Sequence, residues 1–215
     1  MVEFGSSVVI NCSTNCPHPT SGDLETSLEK EAVGNGSRWR AFRLLNVSHW
    51  DPVPLCYFEC PDAGDMEPQR ANFTVYRPPK LVLLDPVPVI VVGENYTLTC
   101  RVSSVAPIRK LSVAFLQGRE TVHLRTFENR TELEASDVVV NHTVTARRAV
   151  YGEVIRCDAV LDLRPDGPVV GKASSFNQML TVMDYTAISV AIASIATLAL
   201  ILVGTGIYSY CPRKQ

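Results

Sequence analysis

Apolar and polar residues alternate in short runs bounded by turn residues along most of this chain, and no amphipathic stretch at helical spacing matches them in quality. Side chains of a strand point to opposite faces in turn, so such runs read as half-buried strands. The pattern predicts strands over residues 7–12, about 24–30, 41–47, 55–60 and 71–76. Arg77-Pro78-Pro79 then reads as a short stiff linker, because prolines fix φ and hold the preceding residue extended. A second series is predicted over 80–84, 96–102, 111–116, 138–147, 154–163 and 177–182.

The cysteines say how the strands stack. Cys12/Cys16 and Cys56/Cys60 form two doublets at i, i+4 spacing, which on a strand places both sulfurs of a doublet on one face. Within a doublet the Cα atoms of an extended strand lie roughly 13 Å apart, too far for a disulfide, so the bridges run between doublets. In a two-sheet sandwich of the immunoglobulin type the facing strands B and F run the same way. That geometry favours Cys12–Cys56 with Cys16–Cys60 over the crossed pairing; bridging of a single pair is the other alternative. Cys100 and Cys157, 57 residues apart, suit strands B and F of a second sandwich. Antibody-domain marks are missing: no Trp follows Cys12 or Cys100 at strand-C distance, where Leu24 or Leu28 and Val113 or Phe115 take the core place. Pro54 and Ile155 stand where a tyrosine corner would be.

The expected fold class is therefore all-β, two tandem immunoglobulin-like β-sandwich domains followed by a single transmembrane helix. The expected boundaries are 1–78 for the first domain, 79–183 for the second, 184–210 for the helix and its flanks, and 211–215 for a cytoplasmic stub. The run 186–207 carries no charge and has about the length of a bilayer-spanning helix. Tyr208, Tyr210, Arg213 and Lys214 after it place the C-terminus inside, giving a single-pass type I protein of the plasma membrane with its N-terminus outside. Residues 1–5 lack the apolar core of a signal peptide, so the chain reads as a fragment without its signal peptide and first strand. Asn-x-Ser/Thr occurs at Asn11, Asn35, Asn46, Asn72, Asn95, Asn129 and Asn141, more than background, and six pairable cysteines agree with an oxidising exterior. Asn11 and Asn95 lie beside predicted strands and are the weakest of these acceptors. Within the apolar run, Ser189, Ala193 and Thr197 form a small-residue stripe that could support a weak homodimer. Cys211 sits where palmitoylation occurs.

A formal net charge of −2 with scattered basic residues gives no polyanion signal, so no nucleic-acid partner is expected. The four histidines are scattered, and no nucleophile elbow, phosphate loop or clustered metal site occurs. The chain reads as a binding protein, not an enzyme, with no cofactor and no metal of its own. An immune signalling receptor is the rival reading. Such receptors often carry an intramembrane charge, and this run has none.

One segment stands out: Leu24-Glu25-Thr26-Ser27-Leu28-Glu29-Lys30, between the doublets. Together with the doublets, Leu44-Leu45-Asn46-Val47-Ser48-His49, Val75-Tyr76-Arg77-Pro78-Pro79 and Leu161-Asp162-Leu163-Arg164-Pro165, it resembles the intercellular adhesion molecule family. In that family a Leu/Ile-Glu-Thr-x-Leu segment on strand C follows a doubled Cys-x-x-x-Cys on strand B. The resemblance implies a partner, the inserted domain of leukocyte beta-2 integrins, above all lymphocyte function-associated antigen 1. It assigns Glu25 the role of giving a carboxylate oxygen to the Mg²⁺ that the integrin holds. Thr26 and Lys30 match the motif in place, and Leu55 and Tyr57 lie on the strand beside it. Glu59 departs from the uncharged residue that family members tend to carry, and the loop 62–70 looks extended.

Overall fold

The computed structural model describes residues 1–61, 67–185 and 194–203. Its first part holds β1 (Val2–Glu3), β2 (Val8–Ser13), β3 (Ser21–Glu25), β4 (Lys30–Gly36), β5 (Trp39–Leu44), β6 (Leu55–Glu59), β7 (Gln69–Arg70) and β8 (Val75–Tyr76). One sheet runs β2-β5-β4 and the facing one β3-β6-β7, while β1 pairs in parallel with β8. Inward residues of both sheets, among them Ile10, Leu24, Phe42, Leu44 and Phe58, pack into one core around Cys12 and Cys56. Leu24 and Leu28 are both buried there.

The second part holds β9 (Leu81–Leu84), β10 (Ile90–Val91), β11 (Asn95–Val105), β12 (Leu111–Gln117), β13 (Glu120–Thr126), β14 (Ser136–Thr145), β15 (Val154–Asp162), β16 (Val169–Ser174), β17 (Gln178–Met179) and β18 (Val182–Met183). Sheet β14-β11-β9 faces sheet β13-β12-β15-β16. A separate core of Leu98, Val113, Phe115, Ile155, Leu161 and their neighbours lies between them. Three disulfides cross the sandwiches: Cys12–Cys56, Cys16–Cys60 and Cys100–Cys157. The parallel pairing expected of the doublets is the one found.

Several expectations are corrected. The strand placed over 24–30 ends at Glu25, and Lys30 opens the next one, β4. A two-residue strand, Val2–Glu3, precedes the first of the expected strands and pairs with β8. The strands β4, β13 and β16 were not legible, because each runs along a sheet edge with most of its residues partly or fully exposed, which erases alternation. The expected transmembrane helix is not supported. Residues 194–203 are helical, and the rest of the apolar run 186–207 lies outside the described residues. Among the described residues no helix is long and apolar enough to cross a membrane. Ser189, Ala193 and Cys211 lie outside the described residues.

The two sandwiches meet at a short elbow. Arg77 and Ala106 exchange backbone hydrogen bonds of 2.9 and 3.1 Å. The Arg77 guanidinium lies 4.2 Å from the Phe4 ring and 5.1 Å from the Trp50 ring, and Phe4 and Trp50 are themselves stacked at 4.3 Å. Its Nη1 donates to Ser104 Oγ at 3.2 Å. One cation thus ties two rings of the first sandwich to the second, a contact of the kind that contributes up to about 2 kcal/mol when shielded from water.

Two predictions concern stability. With Cys12–Cys56 in place, Cys16–Cys60 closes a further loop of about ten residues, worth about 3 kcal/mol in the chain-entropy account. Replacing both Cys16 and Cys60 with Ser is expected to lower the denaturant midpoint of the first sandwich accordingly. In the second sandwich, His123 on β13 and His142 on β14 stack across the seam at 4.2 Å, beside Phe115. Burial first, then the neighbouring His123, pushes the His142 pKa below its ordinary 6.5. The unfolded chain therefore protonates first as pH falls, so this contribution is complete above about pH 6.5 and is lost below it. Melting temperature should fall from pH 7.5 to pH 5, and His142→Gln should flatten that slope.

Candidate functional site

Strand β3 is short and held from one side. Leu24 is fully buried, and the residues before and after it, Asp23 and Glu25, are directed to the outer face. Antiparallel pairing with β6 sets Leu24 opposite Cys56, Glu25 opposite Leu55, Asp23 opposite Tyr57 and Ser21 opposite Glu59. The Cys12–Cys56 bridge therefore pins β6 to the facing sheet at the level of Leu24, one residue from Glu25. Gly22 is needed for the close approach of Phe58: a Cβ there would lie 2.4 Å from Phe58 Cδ1.

After Glu25 the chain turns at once. Thr26 Oγ1 accepts from the Leu28 amide at 3.1 Å, a local side-chain turn that lets Leu28 return to the core. Lys30 Nζ donates to Asp23 Oδ1 at 2.7 Å and to the Leu24 carbonyl, with Phe42 5.3 Å beneath it. Burial alone would raise the Asp23 carboxyl pKa. The Lys30 hydrogen bond, the Leu24 amide (2.8 Å) and the Lys30 charge outweigh it and hold the group below its usual value.

Glu25 differs from Asp23. It is exposed, and among the described residues its carboxylate makes no ion pair or hydrogen bond. Leu55 and Tyr57 are half-buried beside it, and Arg70 lies beyond Leu55 on β7, paired with Asp51 at 2.9 Å. The fold thus brings Glu25, Leu55 and Tyr57 together on one outer face. Thr26 is occupied in closing the turn, and Lys30 is bound to the sheet edge through Asp23. Glu59 is exposed on the same face, and part of the loop 62–70 lies outside the described residues. The Asp23–Lys30 pair and the flanking Arg70 were not anticipated. Nothing in the sequence shows that positions seven apart meet across a turn, or that residues 69–70 extend the sheet.

All seven sequon asparagines are exposed. Asn11 on β2 sits between buried Ile10 and Cys12 and so points outward, and Asn35 lies on β4 of the same sheet. None stands on β3, β6 or β7. Among the described residues no group of three or more His, Cys, Asp or Glu could hold a metal ion.

Two facing antiparallel sheets joined through the core by disulfides place the domain in the immunoglobulin-like class. Residues 1–81 match the family model described as intercellular adhesion molecule (ICAM), N-terminal domain. Intercellular adhesion molecule 4 of Mus musculus is 36% identical over 204 residues, covering 94% of this chain and 75% of that protein. Intercellular adhesion molecule 5 of Oryctolagus cuniculus is 38% identical over 180 residues, covering 84% of this chain. The chain spans only 19% of that relative's length. Among solved structures, the intercellular adhesion molecule 5 D1–D4 ectodomain fragment superposes with a TM-score of 0.72 at 37% identity, covering 85% of this chain and 48% of that one. The mouse nectin-like molecule 4 ectodomain, at 14% identity and a TM-score of 0.58, shares the fold alone. This chain belongs to the intercellular adhesion molecule family, a family of adhesion proteins and not of enzymes.

The match takes in about half of the D1–D4 relative, and among the described residues no helix is long and apolar enough to cross a membrane, so the closing membrane helix of the expected architecture is not supported. What the findings support is an all-β, immunoglobulin-like fold.

The local packing makes a prediction. Gly22→Ala should destabilise the first sandwich by about 1–3 kcal/mol, the usual cost of overpacking, because Phe58 is held in the core and cannot yield freely. A thermal melt of the variant, with binding of a sheet-face antibody as a second measure, checks it.

Proposed function

We propose that this chain is a cell-surface counter-receptor for leukocyte beta-2 integrins, with lymphocyte function-associated antigen 1 foremost. Both sandwiches would lie outside the cell, where their disulfides persist. Glu25 supplies one carboxylate oxygen to the Mg²⁺ held by the integrin's inserted domain. Mg²⁺ requires near-octahedral oxygen ligation at about 2.1 Å, and an incoming carboxylate replaces one of its waters. Leu55 and Tyr57 supply apolar and aromatic contact around that bond, and Arg70 a charge at its margin. Thr26 and Lys30 act at one remove: the first fixes the turn after Glu25, the second restrains β3 through Asp23.

The observation that carries this reading is the contrast within β3. Asp23 is neutralised by Lys30, while Glu25, two residues on, has no partner within the described residues. A carboxylate already free of internal partners and held on a braced strand gives up little on binding. The sequon-free sheet around it leaves room for a protein partner.

Glu25→Gln keeps the shape and removes the charge. It should leave the melting temperature unchanged and weaken Mg²⁺-dependent binding of the activated inserted domain by about 30-fold or more, as expected for a central contact worth about 2 kcal/mol. Binding to the unaltered chain should vanish in EDTA. Chelation-insensitive binding, or undiminished binding by the Gln variant, would reject the proposal.

A further inference from the structure

A crevice of about 480 Å³ opens between the two sandwiches. Trp50, Asp51 and Phe73 line it from the first, Arg109 and Asp166 from the second. Asn72, an exposed acceptor in the sequon Asn72-Phe73-Thr74, is part of the same wall. Trp50 is stacked on Phe4 and also lines this crevice.

We infer that the crevice is the seat of the first sugar of an N-linked glycan on Asn72, which bridges the two sandwiches at their elbow. The inference rests on the cell-surface reading above, because N-glycosylation requires the secretory route. An N-acetylglucosamine has an apolar C–H face and a rim of hydroxyl and amide groups. Aromatic side chains suit the first, and a few placed polar groups suit the second, which is how sugar-sized sites are commonly built. Here Trp50 and Phe73 provide the aromatic surface on the domain that carries Asn72. Arg109 and Asp166 provide a donor and an acceptor on the other domain. A sugar in this place touches both sandwiches on the side where Arg77 already joins them through Phe4 and Trp50. It adds a second strut to the elbow and so helps fix the direction in which the first domain presents its sheet face.

The test uses the full chain expressed in mammalian cells, with glycopeptide mass spectrometry of native and denatured samples treated with peptide-N-glycosidase. The expected result is that Asn72 is occupied and its glycan is released at least about tenfold more slowly than that of Asn35 under native conditions, with equal release after denaturation, since attack on an occluded group tracks its open population. In a Trp39→Phe background, which leaves Trp50 as the single indole, Asn72→Gln should increase acrylamide quenching of Trp50. Equal native release at Asn72 and Asn35 with unchanged quenching overturns the inference. So does an unmodified Asn72 beside an occupied Asn35, while leaving the cell-surface reading intact. No glycan at any of the seven acceptors would overturn both.

Discussion

The covalent link between β2 and β6 is the constraint on which the first sandwich depends. Cys12–Cys56 joins the two sheets through the middle of the core, directly opposite Leu24 in the β3–β6 register. Cys16–Cys60 adds a second weld four residues along both strands. A domain of this size has a small core and correspondingly little hydrophobic stabilisation in reserve. Two parallel bridges therefore do more than add stability. They stop the sheets from sliding, so the outer face of β3-β6-β7 keeps one geometry. Leu24 anchors β3 to that core, and Glu25 inherits its position from Leu24.

Rigidity alone would not make a site; charge placement does. Two acidic residues share the outer face of β3, yet they are chemically distinct. Asp23 is matched by Lys30 and the Leu24 amide, which spends its charge within the fold. Glu25 has no partner among the described residues. The short turn after it, closed by Thr26, keeps the carboxylate at the strand's end and clear of β4. At the other end of the domain, Arg77 joins the stacked Phe4 and Trp50 to Ser104 of the second sandwich. Immunoglobulin-like folds host many functions, and here the function is argued from these few residues rather than from the fold.

How much of this was legible from residues alone depended on burial. Strands β2, β6, β11, β12 and β15 face a core, so their alternation was visible, and the cysteines lie on inward positions of four of these strands or just beyond their ends. The edge strands β4, β13 and β16 bury too little to show a pattern. Hydropathy alone makes the apolar run near the C-terminus one long spanning helix, whereas among the described residues no helix is long and apolar enough to cross a membrane.

The sequence by itself determined the sandwich class, the inward placing of the cysteine doublets and the motif that holds Glu25, because cysteine spacing and period-2 burial are local properties of the chain. Only the tertiary structure decided that Asp23 is neutralised while Glu25 is not, that Thr26 and Lys30 serve the turn and the edge, and that Asn72 opens onto a crevice between domains. Those facts arise where residues far apart, or facing each other across a turn, are brought within a few ångströms. No linear pattern encodes such distances.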